Sequence, residues 1–306
     1  MSFKKKILIV GGTGFIGYHL AKKSLKIGWN VTSVSTKRPK KIRNLPKVKY
    51  LYCDITNKKS LEKKINQKFD YVVNLGGYVD HTNRKKTFKS HYIGCKNLAE
   101  LFLKQMPIAF VQMGSSVEYG NLKSPQIEKA YINPKSIKSI YGKAKLLSSI
   151  YLINLFEKKR FPCTILRLYL TYGSKQDVNR FLPIIINGCI KNKKFPCSKG
   201  TQLRDFVHVE DVVDSILKSL KNKKARGQIL NIGSGKPKKI KRIIELVKKI
   251  TRGGHPQFGA IKFRKDEILK LYPSIKKAKK TINWYPKIPF EKGLQSTIKY
   301  FNDKTN

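Results

Sequence analysis

Two residues with acid–base potential, Tyr141 and Lys145, stand four positions apart. On a helix this spacing places both side chains on one face. Because a nearby ammonium stabilises a phenolate, we expect Lys145 to lower the pKa of Tyr141 from its ordinary value of about 10, which makes proton transfer feasible near neutral pH. Seven tyrosines have a lysine at this offset, so position must select the pair. Tyr141 begins an amphipathic segment after a strand that ends in Ser115 and Ser116, which favours it.

A glycine triplet predicts a second chemistry, the binding of a dinucleotide. Gly11, Gly14 and Gly17 directly follow a short apolar segment and open a helical pattern. A pyrophosphate binds at a helix N-terminus because unpaired amide groups and the helix dipole favour negative charge, and a Cβ at the turn would block its approach. The segment from Lys6 to Ser35 is therefore predicted to be a dinucleotide-binding βαβ unit.

The end of the predicted second strand indicates which dinucleotide binds. NAD sites usually place a carboxylate about 20 residues after the glycines, to accept hydrogen bonds from the ribose 2′-hydroxyl. This sequence has Ser35 there, followed by Lys37 and Arg38. With no carboxylate to repel a 2′-phosphate and two cations beside it, NADP is the favoured cofactor and NAD the alternative. Lys37 and Arg38 could instead belong to a solvated loop. Asp54, after the third predicted strand, either faces the adenine or caps a turn.

The elements that must position these residues alternate between β-branched and amphipathic segments. Strands that are apolar on both faces and separated by helices indicate a doubly wound parallel sheet, the α/β Rossmann plan. We predict a dinucleotide-binding domain over 1–169 and a smaller substrate-binding region over 170–306, interleaved with the first. The predicted strands are Lys6–Val10, Val31–Ser35, Val48–Cys53, Tyr71–Leu75, Ile108–Met113 and Cys163–Leu168. The predicted helices are Phe15–Ile27, Tyr141–Lys159, Phe181–Ile190, Val209–Leu220, Lys239–Ile250 and Phe290–Phe301.

The chain of 306 residues carries a formal charge of +48, and such a field concentrates polyanions. Its lysines are spread from end to end rather than clustered among aromatic residues, so no nucleic-acid partner is expected. No segment approaches the ~20 apolar residues of a membrane helix, and the first apolar run is too short for a signal peptide. These features predict a soluble, cytoplasmic protein. The five cysteines lack metal-ligand spacing, so neither a metal site nor a disulfide framework is expected.

Eight motifs spread over most of the chain resemble those of the extended short-chain dehydrogenase/reductase family, which contains nucleotide-sugar epimerases, dehydratases and ketoreductases. They are GGTGFIG at 11–17, CDITN at 53–57, NLGG at 74–77, GSSVEYG at 114–120, YGKAK at 141–145, LRLYLTYG at 166–173, RDFVHVEDV at 204–212 and NIGSG at 231–235. The resemblance implies an NAD(P)-dependent enzyme of nucleotide sugars in which Ser115 polarises the substrate oxygen, Tyr141 is the acid/base and Lys145 assists it and holds the nicotinamide ribose.

The same resemblance extends the set of expected cofactor contacts and implies a homodimer through helices near 87–104 and 141–159. The expected cofactor contacts are Gly11, Thr13, Gly14, Phe15, Ile16, Gly17, Ser35, Lys37, Arg38, Asp54, Ile55, Leu75, Gly76, Gly77, Tyr141 and Lys145.

Val117 narrows the reaction. In the family's dehydratases the sequence at the positions of Ser115 to Val117 resembles Thr-Asp-Glu. In reductases that also epimerise, a cysteine stands at the position of Val117. This chain has neither the acidic pair nor the cysteine. Two reactions remain: NADPH reduction of the C4 keto group of a nucleotide-linked 4-keto-6-deoxy sugar, or 4-epimerisation with tightly bound NAD. The segment Ser35 to Arg38 and the likeness of GSSVEYG to the reductases favour the first. A third interpretation is a non-catalytic family member that binds RNA or protein. The presence of all three expected catalytic residues, Ser115, Tyr141 and Lys145, argues against it.

Substrate contacts are also carried over from the resemblance. Arg204 matches the family's arginine for the diphosphate, and Arg264 is a second candidate; both could instead pair with neighbouring aspartates. Leu170 stands where the family has an asparagine that contacts phosphate, and Arg180 could compensate. Ser116, next to the expected catalytic serine, is assigned to the substrate.

Two further residues keep alternative interpretations. Glu118 is ionisable but stands where the family is usually apolar, so it is either catalytic or a hydrogen-bonded structural group. His81 follows NLGG and could line the pocket, whereas the other histidines are interpreted as helix or turn residues: His19, His91, His208 and His255.

Overall fold

The computed structural model describes residues 4–80, 82–129, 132–263 and 267–304. Within these ranges the chain forms fourteen strands and ten α-helices. The strands are β1 Lys6–Val10, β2 Asn30–Ser35, β3 Val48–Tyr52, β4 Tyr71–Asn74, β5 Ala109–Ser115, β6 Cys163–Leu168, β7 Leu170–Tyr172, β8 Lys194–Cys197, β9 Leu203–Arg204, β10 Phe206–His208, β11 Gln228–Ile232, β12 Lys238–Lys239, β13 His255–Phe258 and β14 Lys270–Leu271. The helices are α1 Phe15–Lys26, α2 Lys58–Lys64, α3 Arg84–Phe88, α4 Gly94–Lys104, α5 Ile140–Lys159, α6 Phe181–Ile190, α7 Val209–Lys221, α8 Ile240–Thr251, α9 Lys276–Ile282 and α10 Phe290–Asn302.

A seven-stranded parallel sheet organises the molecule, with the strand order β11-β6-β5-β4-β1-β2-β3. Side chains alternate across each strand, so β1 sends Ile7 and Ile9 into the core on one face and Leu8 and Val10 into the core on the other. Helices α1 and α7 cover the first face, and α4 and α5 cover the second. This confirms the doubly wound α/β fold.

A third core lies outside the main sheet, where α6, α8 and α10 pack together. Helix α8 shows why it packs there: Ile240, Ile243, Ile244 and Val247 recur at helical spacing and are buried, while its other face is basic. This core supports the shorter strand pairs β10-β7 and β13-β8 and the three-stranded sheet β12-β9-β14.

Two details depart from the predicted elements. The seventh strand of the main sheet is β11, which the sequence pattern did not distinguish, and it pairs with β6 although it lies beyond residue 169. Strand β5 begins at Ala109 and continues to Ser115, two residues past its predicted end. The division of the chain at residue 169 stays a prediction. In the described ranges no helix is both long and apolar enough to cross a membrane.

Candidate active site

The carboxyl ends of the central parallel strands meet at one edge of the sheet, and the expected catalytic residues lie there. Ser115 is the last residue of β5. Helix α5 packs against β5 and carries Tyr141 in its first turn and Lys145 one turn later. The helix begins here because Ser139 accepts a hydrogen bond from the amide of Gly142 through its side chain.

The structure brings the three catalytic candidates together. Ser115 is a side-chain neighbour of Tyr141 whose hydroxyl, as a hydrogen-bonding group, lowers the pKa of the phenol. Lys145 lies beneath them with 4% of its surface exposed, and its Nζ donates to the carbonyl oxygen of Met113 at 2.6 Å. The same Nζ lies 5.9 Å from the centre of the Tyr141 ring. A hydroxyl pair with a buried amine beside it can bind an oxygen atom and exchange a proton with it.

The electrostatics of the trio differ from the sequence-based expectation. Burial raises the pKa of Tyr141, the hydrogen bond with Ser115 opposes that rise, and the charge of Glu118 adds to it. Burial lowers the pKa of Lys145 to about 8. The expectation that Lys145 lowers the pKa of Tyr141 is therefore wrong, because the amine is itself desolvated and donates to a backbone carbonyl.

Two neighbours of Ser115 lie in the 3-10 helix Ser116–Tyr119 that follows β5. Ser116 is buried, with 7% of its surface exposed. Glu118 is completely buried and accepts hydrogen bonds from the amide of Ser115 and from the side chain of Arg167. Of the two interpretations of Glu118, these contacts support the hydrogen-bonded group.

His91 is a neighbour of Tyr141 that the sequence did not single out. It lies in a π-helical turn, Lys89–Ile93, between α3 and α4. Its ring meets the Tyr141 ring edge to face, with 4.8 Å between the ring centroids, and its Nε2 hydrogen-bonds the carbonyl oxygen of Tyr78. A Cβ at Gly77 would lie 1.8 Å from this imidazole, so the NLGG turn closes onto the histidine. The available signal was the position of His91 just before the helix that packs on α5. His81 lies outside the described residues.

The glycine turn between β1 and α1 has the shape that a pyrophosphate requires. Gly11 has a φ of +78°, a conformation that favours glycine, and a Cβ on Gly17 would stand 2.3 Å from the Gly11 carbonyl oxygen. Gly14 is the N-cap of α1 and has no side chain, which leaves the first amides of the helix accessible to an anion. Thr13 belongs to this turn, and Phe15 and Ile16 form the first turn of α1. The residues present therefore fit the diphosphate of a dinucleotide.

The end of β2 is tied to this turn, because Thr13 Oγ1 donates to Ser35 Oγ at 3.0 Å. Lys37 and Arg38 follow on an exposed loop. Two later cations of the same connection, Lys40 and Arg43, are instead held at 2.7 and 3.1 Å by the carboxylate of Asp177, which lies between β7 and α6.

The remaining expected cofactor contacts follow β3 and β4. Asp54 accepts a hydrogen bond from the amide of Thr56 at 2.9 Å, so its carboxylate caps a turn. Ile55 is buried against the glycines after β4. The amide of Gly76 donates to Asn74 Oδ1 at 3.1 Å, which fixes the path of the chain beside the glycine turn. Leu75 and Gly77 lie on either side of that residue.

The arginines expected at the substrate are placed differently from one another. Arg180 is exposed at the N-terminus of α6, and its charge lowers the pKa of Tyr141, which places it on the site's side of that helix. Arg204 is ion-paired with Glu267, so a pairing with Asp205 is wrong; that aspartate accepts hydrogen bonds from Ser234 instead. Arg264 lies outside the described residues.

In the part of the chain that is described, no three His, Cys, Asp or Glu side chains are grouped as a metal site requires.

Known proteins resemble this chain along most of its length. The sequence pattern of the NAD dependent epimerase/dehydratase family matches residues 7–233. A putative UDP-glucose 4-epimerase of Methanocaldococcus jannaschii is 28% identical over 312 residues, which cover 97% of this chain and 98% of that protein. CDP-abequose synthase of Salmonella muenchen is 25% identical over 303 residues, which cover 97% and 98%. The crystal structure of UDP-glucose 4-epimerase from Thermotoga maritima with UDP-glucose has a TM-score of 0.91 and 25% identity, and the match covers 98% of this chain and 100% of that one.

The family match spans most of the chain and contains the glycine turn, Ser115, Tyr141 and Lys145. These relatives are named as enzymes of nucleotide sugars, and the matches cover 98% of each. The chain is therefore an enzyme of the extended short-chain dehydrogenase/reductase type, and it belongs to the NAD dependent epimerase/dehydratase family.

Proposed function

We propose that this enzyme reduces the C4 keto group of a nucleotide-linked 4-keto-6-deoxy sugar with NADPH. The observation that carries the proposal is the grouping of Ser115, Tyr141 and Lys145, with the lysine held on the Met113 carbonyl oxygen, at the sheet edge that also holds the glycine turn. This arrangement supplies what a carbonyl reduction needs from the protein, which is a hydroxyl to hold the oxygen and a second hydroxyl to protonate it.

The protein's part in the reaction is a proton transfer. The nicotinamide, when bound, supplies the hydride that reaches the sugar carbon. Ser115 donates a hydrogen bond to the C4 oxygen, and Tyr141 transfers its phenolic proton to that oxygen as the carbonyl becomes an alcohol. Lys145, which the Met113 carbonyl oxygen holds beside the phenol with its pKa lowered to about 8, is assigned to the nicotinamide ribose, and the phenolate takes its new proton from solvent.

The choice of NADPH is supported by the end of β2. Ser35 presents a hydroxyl that Thr13 already fixes in place. Lys37 and Arg38 are exposed on the loop that follows, where both could reach a 2′-phosphate. A carboxylate at Ser35 would repel that phosphate, so its replacement by serine favours NADPH over NADH.

The substrate's diphosphate is proposed to lie between Arg180 and Arg204. Arg180 stands at the N-terminus of α6, where the helix dipole also favours an anion. The guanidinium of Arg204 is ion-paired with Glu267, so a phosphate that binds there would compete with that carboxylate. The contribution of Arg264, the contact of Ser116 with the sugar and the homodimer through α4 and α5 stay predictions.

A second candidate function is 4-epimerisation of a nucleotide sugar with tightly bound NAD. The similarity to the UDP-glucose 4-epimerases of M. jannaschii and T. maritima favours it. Epimerisation uses the same three side chains, because the intermediate is also a 4-keto sugar. The two reactions differ in the cofactor: an epimerase regenerates its NAD and holds it, whereas a reductase exchanges NADPH for NADP at every turnover.

The cofactor therefore provides the test. The purified protein is denatured and the released nucleotide is identified, and the Kd values of NADPH and NADH are then measured for the cofactor-free protein. The reductase proposal expects no retained NAD and tighter binding of NADPH. Retained NAD without a preference for NADPH, together with interconversion of UDP-glucose and UDP-galactose, would establish the epimerase instead.

A further inference from the structure

Glu118 is a carboxylate that is completely removed from solvent beside the candidate active site. A buried charge is costly unless it is paired and hydrogen-bonded, so its partners reveal what it holds. Its Oε1 accepts from the backbone amide of Ser115 at 2.8 Å, and its Oε2 accepts from Arg167 Nε at 2.9 Å and from Ser149 Oγ at 2.8 Å. The Arg167 guanidinium balances the charge of the carboxylate. The other two donors, the Ser115 amide and the Ser149 hydroxyl, are uncharged.

These two contacts join the strand and the helix that carry the reactive hydroxyls. Ser115 ends β5, whereas Ser149 belongs to α5. On that helix Tyr141, Lys145 and Ser149 are spaced by four residues, so all three lie along one face. A single carboxylate thus connects the backbone of the catalytic serine with the helix face that presents the catalytic tyrosine.

Two glycines allow this close approach. A Cβ on Gly114 would lie 2.5 Å from Glu118 Oε1, and a Cβ on Gly142 would lie 2.9 Å from the carbonyl oxygen of Val117. Any larger residue at Gly114 would displace the carboxylate, and any larger residue at Gly142 would push α5 away from the turn. The packing around Glu118 therefore sets the distance between the strand end and the helix.

We propose that Glu118 is a positioning residue: its carboxylate holds the strand end that carries Ser115 against the helix that carries Tyr141, so that the two hydroxyls stay beside each other. This inference depends on the roles given to Ser115 and Tyr141 in the proposed function. It assigns Glu118 no proton transfer, since its oxygens are occupied by Ser115, Ser149 and Arg167.

The positioning role of Glu118 and its negative charge have opposite effects on the pKa of Tyr141. The hydrogen bond from Ser115 lowers the pKa of Tyr141, whereas the negative charge of Glu118 raises it, and the first effect is the larger. The other charged or titratable groups around this phenol are Lys145, Arg180 and His91. Glu118 raises the pKa of Lys145, but that pKa is about 8, so the amine is already neutral where Tyr141 titrates, both in the wild type and in the variant. Loss of positioning should therefore raise the pKa of Tyr141, and loss of charge alone should lower it.

The test reads this phenol directly in the full chain without cofactor or substrate. The wild type and Glu118→Gln are produced with 3-fluorotyrosine, and the 19F resonance of Tyr141 is assigned by its absence in Tyr141→Phe and followed as a function of pH. We expect the titration midpoint of Tyr141 to be higher in Glu118→Gln by roughly one pH unit. An unchanged or lower midpoint overturns the proposal. Because no reaction is measured, the result does not depend on which reaction the enzyme catalyses.

Two further variants keep the test decisive. Asp211→Asn is the matched control, since Asp211 is a buried carboxylate that accepts from two backbone amides, those of Lys287 and Ile288, away from the site. It should lower stability and leave the Tyr141 midpoint unchanged. Ser149→Ala removes only the contact with α5 and should raise the midpoint less than Glu118→Gln does. If Glu118→Gln does not fold, the Ser149→Ala result decides: a rise supports the proposal, and no rise contradicts it.

Discussion

Lys145 Nζ donates to the carbonyl oxygen of Met113 at 2.6 Å, so the amine is fastened to the backbone of β5 two residues before Ser115. This hydrogen bond holds Lys145 in a fixed place although the side chain is almost completely buried. Burial explains the low pKa of the amine: one carbonyl does not replace the water that burial removes, and the pKa falls to about 8.

The first prediction concerns stability and pH at Lys145. Between pH 8 and 10.5 the unfolded chain binds a proton at this amine that the folded chain does not, so Lys145 makes the free energy of unfolding rise with pH in that window, by ~3 kcal/mol at most. Lys145→Met lacks this contribution. Urea unfolding at several pH values should therefore show the stability of the wild type increasing relative to the variant from pH 8 upwards. A difference that is constant with pH would mean that the amine is not desolvated.

The second prediction concerns Tyr141 as the proton donor. Tyr141→Phe removes the phenolic proton and keeps the ring, including its contact with His91. Turnover of the nucleotide sugar that the wild type accepts should fall by roughly 10²- to 10⁴-fold, while the Kd of the cofactor changes little. Tyr300→Phe is the matched control, since Tyr300 also has a lysine four residues later but lies on α10, away from the sheet edge. Equal losses in the two variants would contradict the assignment.

Sequence patterns predicted the parts of the site that depend on short segments. The glycine turn is encoded in seven residues, and Tyr141 and Lys145 are neighbours by helical spacing. Their position after a strand placed them at the correct edge of the sheet. The six predicted strands of the sheet lie within two residues of the observed ends for the same reason, since alternation and β-branching are local signals.

The remainder of the site depends on packing between distant segments, which periodicity does not encode. His91 lies in a π-helical turn and contacts Tyr141 on α5, fifty residues away in sequence. Glu118 reaches Ser149 and Arg167, which are distant in sequence, and nothing in the sequence beside it marks those contacts. Strand β11 was missed because its five residues, QILNI, show little periodicity of their own.

The third prediction concerns the glycine turn. In Gly17→Ala the new Cβ would stand 2.3 Å from the Gly11 carbonyl oxygen and 2.6 Å from Gly12 Cα, so helix α1 must shift away from the turn. NADPH and NADH should both bind at least about tenfold more weakly, which corresponds to about 1.4 kcal/mol. Gly28→Asn serves as the control, because nothing lies within 4 Å of a Cβ there and asparagine tolerates the positive φ of +83°. Normal cofactor affinity in Gly17→Ala would exclude this turn as the pyrophosphate site.

The fourth prediction concerns the choice between NADPH and NADH. Ser35→Asp places a carboxylate at the end of β2, which accepts hydrogen bonds from a ribose 2′-hydroxyl and repels a 2′-phosphate. The ratio of the two Kd values should move toward NADH by about tenfold or more. Thr13→Val tests whether the serine hydroxyl must be held, because it removes the 3.0 Å hydrogen bond without adding charge, and it should change the ratio far less. A Ser35→Asp variant with an unchanged ratio would place the 2′-phosphate elsewhere.

The last prediction concerns Asp177, which joins the loop after β2 to the connection before α6. Burial favours a raised pKa for this carboxyl, but the hydrogen bond from Lys40 and the charge of Arg43 outweigh it and lower the pKa below the ordinary 3.8. A lowered pKa in the folded state contributes stability above pH 3.8 that is lost as the pH falls through the folded-state value.

In Asp177→Asn the free energy of unfolding near neutral pH should therefore be lower by about 2 kcal/mol, because the substitution weakens the hydrogen bonds with Lys40 and with the buried Arg43. The difference from the wild type should shrink as the pH falls below 4. Asp214→Asn is the control: its carboxylate pairs with Lys218 at 3.8 Å on the surface of α7, and such a pair contributes about 0.5 kcal/mol. If both variants lose the same stability at every pH, then Asp177 does not fasten the loop, and Lys40 and Arg43 reach their positions without it.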